Sequence, residues 1–161
     1  MLFGLYPNSN AVLLPQIYGG SEYWNDYPYY IEIAKRSTYK NRVKVISDKY
    51  GCDIQQAIIS KAQLMVGTRY HSVVYAINQG IPFVSLSYEH KMSGMLDTLG
   101  KSEFSINIEN VLETEEGRQD VLRQIAIKAK AAKPDLELRD KAKQIAMDGF
   151  NAFMHRCGLG I

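Results

Sequence analysis

From Ala11 to Ile108 short apolar runs alternate with amphipathic stretches, a rhythm that leaves few architectures open. The apolar runs are Ala11-Val12-Leu13-Leu14-Pro15, Arg42-Val43-Lys44-Val45-Ile46-Ser47, residues 64–67, Ile81-Pro82-Phe83-Val84-Ser85-Leu86-Ser87 and Phe104-Ser105-Ile106-Asn107-Ile108. Each has the length and β-branched content of a buried strand. Between them lie helical patterns at residues 29–37, 53–61, 69–79 and 91–99, with Gly80 and Gly100 as stop signals. Strands separated by helices cannot pair as hairpins. They pair in parallel through right-handed crossovers, which predicts an α/β fold with a Rossmann-like parallel sheet and helices on both faces.

At 161 residues and 46% hydrophobic content the chain has enough apolar material for one buried core, and a single domain is expected. It divides into an irregular lead-in at 1–10, a βαβ core at 11–110 and a helical C-terminal extension at 111–157. Pro134 separates two helices in that extension. In the second, Ala142, Ile145, Ala146, Gly149 and Phe153 follow helical spacing, so one face is apolar and covers either the sheet of this domain or a neighbour. Residues 16–28 read as a long loop with Tyr18, Tyr23, Trp24 and Tyr27, aromatics that serve either loop packing or stacking on sugar rings.

The formal net charge of +2 is too small to hold nucleic acid by charge alone. No apolar run approaches the roughly 20 residues of a membrane helix, and the opening Met1-Leu2-Phe3-Gly4-Leu5 lacks a signal peptide's basic region, so a cytoplasmic location is expected. Cys52 and Cys157 stand far apart with no ligand-spaced histidine, and are expected to be buried or inert thiols. No metal is expected.

Chemistry concentrates at Gly67-Thr68-Arg69-Tyr70-His71, where the third interior strand gives way to a helix. Gly67 relieves crowding at the turn and Thr68 is the expected cap. Arg69 and His71 flank the apolar stripe of Tyr70, Val73, Val74 and Ile77, in a first turn whose unpaired N–H groups favour an anion. In parallel sheets ligands bind at the carboxyl ends of strands, which is where this turn falls.

That run, the Gly80-Ile81-Pro82 after the helix, and Tyr88-Glu89-His90-Lys91 together resemble the polysaccharide pyruvyl transferase family, over about Val12 to Gly100. The resemblance is to the C-terminal half of those enzymes, whose fold is similar to two-domain GT-B glycosyltransferases. It implies transfer of the pyruvyl group of phosphoenolpyruvate to sugar hydroxyls, giving pyruvate ketals on polysaccharides. It further implies that Arg69, Tyr70 and Thr68 help hold phosphoenolpyruvate, that His71 is the catalytic acid, and that Lys91 is a further anion contact. No cofactor beyond the donor substrate is implied, and the acceptor saccharide would lie against an N-terminal half that this chain lacks. His90 beside Lys91 is expected to be solvated. Two rivals share the architecture: the donor half of a glycosyltransferase using a nucleotide-sugar, and a non-catalytic α/β binding module.

Overall fold

The computed structural model describes residues 2–19, 25–109 and 111–159, and the chain forms two compact units, Met1–Gln55 and Gln56–Ile161. In the first, β1 (Ala11–Leu13) and β2 (Val43–Val45) pair in parallel, Ala11 opposite Val43. Between them runs α2 (Asp26–Arg36), which packs on β2. It begins three residues before the sequence pattern indicates, because Asn25 caps it by accepting from the Tyr27 N–H. Pro28 then falls in the first turn, where a missing N–H costs nothing.

Buried Asp26 also closes the base of the preceding loop. Its carboxylate accepts from the N–H groups of Gln16 and Ile17, each at 3.0 Å, and its own N–H donates to the Ile17 carbonyl. The lead-in, expected to be irregular, instead contains a one-turn helix, α1 (Leu2–Leu5). Phe3 stacks on Tyr39 at 4.7 Å with the Arg42 guanidinium over its ring, a tertiary cluster with no signature in residues 1–10 themselves. The helix α3 (Cys52–Ile59) carries the chain into the second unit.

That second unit holds β3 (Met65–Gly67), β4 (Phe83–Ser87) and β5 (Ser105–Asn107), all parallel in the order β3-β4-β5. The crossovers are α4 (Tyr70–Asn78) and α5 (His90–Leu99). With strands in sequential order, right-handed crossovers put both helices on one face. In β4 Phe83, Val84 and Ser85 are all buried, so the opposite face is covered too. The covering element is α6 (Glu115–Ala131), packed on β4 and β5 through Val121, Ile125 and Ala129. The last helix, α7 (Leu136–Arg156), packs on α4 and α5. Parallel sheets flanked by helices thus match the expected α/β class.

The break between α6 and α7 falls at Pro134, as the sequence indicates. Asp135 caps α7 by accepting from the Leu138 N–H at 2.7 Å and pairs with Lys101 at 2.9 Å. Of the α7 side chains only Leu138 is buried, while Ile145, Phe150 and Phe153 lie 43–61% exposed. The stripe therefore covers α4 and α5 along its first half and is bare along its second. Cys52 and Cys157, expected to be buried or inert, are both exposed rather than buried, because they sit at helix ends, where α3 opens and α7 is capped. Among the described residues no helix is long and apolar enough to cross a membrane.

Candidate functional site

Gly67 ends β3 opposite Ser85 of β4. Its bare Cα lets the strand lie close against the first turn of α4, since a Cβ there would stand 2.5 Å from Ser72 Oγ and 2.9 Å from Val73 Cγ2. The helix starts differently from the sequence reading. Arg69, not Thr68, is the N-cap residue, in extended conformation and with no side-chain capping bond. Ser72 Oγ instead donates to the Arg69 carbonyl at 2.6 Å, so a hydroxyl inside the helix ties down the turn. The buried face of α4 is Ser72, Val73, Ala76 and Ile77, which leaves Tyr70 and Val74 of the expected stripe half-buried.

Because β3 and β4 are parallel neighbours, the turns after Gly67 and after Ser87 emerge side by side. Two contacts join them. Arg69 Nη1 donates to Tyr88 Oη at 3.1 Å. In the reverse direction, the Lys91 ammonium lies 4.4 Å from the centroid of the Tyr70 ring. Arg69, Tyr70 and Lys91 are thereby gathered around the first turns of α4 and α5, where backbone N–H groups lack helical partners. His71 is exposed beside them, its ring edge-on to Tyr70 at 5.7 Å and tilted toward Tyr75 at 6.1 Å. Thr68 is half-buried in the same turn, and His90 is exposed as expected, though as the first residue of α5.

The residue that sequence reasoning passed over is Tyr88, quoted in the Tyr-x-x-Lys motif but given no role. What marks it is its place: it directly follows β4, opposite the Arg69 turn. Ser85, level with Gly67 in the sheet, is fully buried with no hydrogen-bond partner for its hydroxyl among the described residues.

Beneath Tyr70 an apolar groove of about 380 Å³ runs between α4, α5 and α7, lined by Val74, Ile77, Met95, Leu99 and Ile145 among others. A cavity of about 220 Å³ lies at the other end of α4, around Gly80, Phe83 and the Lys101–Asp135 pair. Of its charged groups Lys101 and Asp135 are engaged with each other, and it stands at the amino end of β4 rather than the carboxyl end where parallel sheets bind ligands. In the first unit, Tyr18 donates to the Asp48 carbonyl at 3.1 Å, and burial, followed by the Asp26 and Asp48 carboxylates, raises its pKa. That tyrosine is half-buried, while Tyr23 and Trp24 lie outside the described residues. Among the described residues no cluster of histidine, cysteine or carboxylate side chains can hold a metal ion.

A profile of the polysaccharide pyruvyl transferase family matches residues 6–90, just over half of the chain. The match includes the turn at Gly67–His71 and Tyr88, and it stops one residue short of Lys91. The chain is also 31% identical over 75 residues to the amylovoran biosynthesis protein AmsJ of Erwinia amylovora, covering 46% of this chain and 18% of that protein. No solved structure matches the chain.

Proposed function

Since this chain belongs to the polysaccharide pyruvyl transferase family, we propose that it binds phosphoenolpyruvate at the turn following β3 and supplies the donor half of the transferase. The observation that carries this reading is the convergence of Arg69 and Lys91 on the adjacent carboxyl ends of β3 and β4, beside two helix N-termini. Phosphoenolpyruvate has a phosphate and a carboxylate on neighbouring atoms, and two cations of different geometry suit it: a planar fork and a point charge. Thr68 and the first-turn N–H groups of α4 add neutral donors.

In the reaction the methylene carbon gains a proton, a sugar hydroxyl forms a bond to the adjacent carbon and gives up its own proton, which restores the one delivered by the acid, and phosphate departs with the electrons of the C–O bond. A second hydroxyl of the sugar then adds to that carbon and loses its proton, completing the ketal. His71 serves as the acid that protonates the methylene, a role suited to a group with a reference pKa of about 6.5. The acceptor saccharide is held by an N-terminal domain in a GT-B-like arrangement, consistent with a matched segment that covers only 18% of the AmsJ chain.

Amide NMR titration of the chain with phosphoenolpyruvate, inorganic phosphate and a nucleotide-sugar tests the donor. Shifts confined to 67–72 and 88–91, selective for phosphoenolpyruvate and lost in Arg69→Ala, are the expected result. Preference for the nucleotide-sugar at the same residues overturns the reading in favour of a glycosyltransferase donor site.

A further inference from the structure

None of the side chains that line the groove of about 380 Å³ between α4, α5 and α7 carries a charge. Two of its polar members are engaged elsewhere, Asn78 Nδ2 donating to Gln56 and Thr98 Oγ1 to the Gly94 carbonyl. An apolar cavity of roughly 150 Å³ accepts a six-carbon ring, and on that scale this groove holds a chain of about twelve to fifteen carbons. It has under half the volume that two turns of a helix about 10 Å across would fill. The groove also has a direction. Both helices cross between sequential parallel strands, so they start at the same end. Val74 and Ile77 follow Tyr70 along α4, and Leu99 follows Met95 along α5. One turn before Met95, on the same face of α5, Lys91 stands over the Tyr70 ring. A ring face attracts an ammonium without neutralising it, and among the described residues Lys91 forms no ion pair. Neither helix start has a side-chain capping bond from its N-cap residue, Arg69 or Glu89, so first-turn N–H groups strengthen the positive field there. Arg69, Glu89 and Lys91 together sum to a net positive charge. An uncharged trough with one positive end is complementary to an amphiphile with one negative end.

We propose that the groove binds a single-chain alkyl phosphate, its chain lying along α4 and α5 from Tyr70 toward Leu99 and its phosphate at Lys91 and the two helix starts. Phosphate suits that end because helix N-termini and a point cation both favour a compact dianion. The assignment stands on the groove and Lys91 and does not need phosphoenolpyruvate to be the donor; where both bind, they compete for the Lys91 ammonium. Two variants separate head from tail. Lys91→Met removes the charge and keeps an unbranched side chain. Ala146 lines the groove and is exposed, so Ala146→Phe fills the groove with little demand on the fold.

The test follows the methyl NMR signals of Val74, Ile77, Met95, Leu99 and Ile145 in the whole chain during titration with dodecyl phosphate below its micelle concentration, beside inorganic phosphate and dodecyltrimethylammonium. Dodecyl phosphate is expected to give saturable shifts at these methyls and inorganic phosphate none. The cationic chain binds about tenfold more weakly, attraction to Lys91 having become repulsion. In Lys91→Met the dissociation constant for dodecyl phosphate rises about three- to fivefold, the size of an exposed ion pair, and in Ala146→Phe the shifts are lost at an unchanged melting temperature. Equal binding of the two chains, or an unaltered constant in Lys91→Met, overturns the proposal, and these two arms decide it if Ala146→Phe does not fold. Binding that survives in folded Ala146→Phe places the chain elsewhere and also overturns it. So does silence from dodecyl phosphate, and a dimer in sedimentation that Ala146→Phe dissociates then identifies a second copy as the occupant. A chain that binds dodecyl phosphate but not phosphoenolpyruvate keeps this assignment and refutes the donor reading; the converse refutes this one alone.

Discussion

Replacing Gly67 with alanine tests how closely the site depends on the fold beneath it. The glycine does not hold a positive φ, so the argument is steric. An added Cβ meets Ser72 Oγ at 2.5 Å and Val73 Cγ2 at 2.9 Å. Neither neighbour can yield toward solvent, since Ser72 is 3% and Val73 0% exposed. The valine is stiff at χ1 within a helix, and the serine is engaged with the Arg69 carbonyl. Overpacking of this kind costs about 1–3 kcal/mol, and the smaller entropy of the unfolded alanine chain returns about 0.4–1. A net loss of about 1.5 kcal/mol corresponds to a melting temperature lower by about 3–6 °C for a chain of this size. Relief comes by pushing the first turn of α4 away from β3, which carries Arg69 away from Tyr88 and weakens anion binding along with stability. Calorimetric melting of wild type, Gly67→Ala and Gly67→Ala/Ser72→Ala reads the effect, with the double variant recovering part of the loss. A single variant that melts at or above the wild-type temperature would refute the close approach of strand and helix.

The remaining expectations are more local. In the complete enzyme His71→Ala abolishes pyruvyl transfer while leaving the melting temperature unchanged, because the ring is exposed; wild-type turnover in that variant removes His71 from the mechanism. Asp135→Asn keeps a competent cap on α7 and loses only the Lys101 pair, costing under about 1 kcal/mol, whereas Asp135→Ala loses the cap as well and costs about 1 kcal/mol more; equal melting temperatures for the two contradict the capping role. The Asp135 carboxyl is held below its ordinary range, first by the Leu138 N–H and then by Lys101. A depressed folded pKa means that its contribution is present above the ordinary aspartate value, about 3.9, and is lost as pH falls through the folded value. Lys101 is raised chiefly by its hydrogen bond to Asp135, so its share is present below the ordinary lysine value, about 10.4, and is lost as pH rises past it. The stability difference between wild type and Asp135→Ala is therefore expected to stay flat from about pH 5 to 10 and to shrink on either side, as measured by urea unfolding. Gly100 holds φ 71, and an added Cβ would stand in ordinary contact with Lys141 Nζ at 3.9 Å, so Gly100→Ala is expected to cost about 1 kcal/mol without touching anion affinity.

The central β-α-β-α-β stretch was legible because its signals are local. Val66 and Val84 sit in apolar runs and Ile106 in an alternating one, and Gly80 and Gly100 stop helices where the sequence indicates, each at positive φ. What escaped depends on contacts between distant residues. The one-turn helix at Leu2–Leu5 owes its packing to Tyr39 and Arg42, and no pattern within ten residues encodes that. The early start of α2 turned on reading Pro28 as a loop signal, when proline is equally at home in a first helical turn. Thr68 was a reasonable cap, but the chain remains extended through Arg69, and Ser72 takes over the tethering. At the site, the residue types were visible while their pairing was not. That Arg69 meets Tyr88 and Lys91 meets Tyr70 follows from strand register, which a single sequence does not display.

The closed base beneath the loop that follows β1 bears on how the molecule can be altered. Asp26 accepts two backbone N–H groups from Gln16 and Ile17, its N–H returns to Ile17, and Tyr18 bridges Asn25. Strand and helix are thus fastened to each other by the residues that follow β1 and open α2, and Asp26, which takes part in all three backbone bonds to Gln16 and Ile17, is the clasp whose loss would part them.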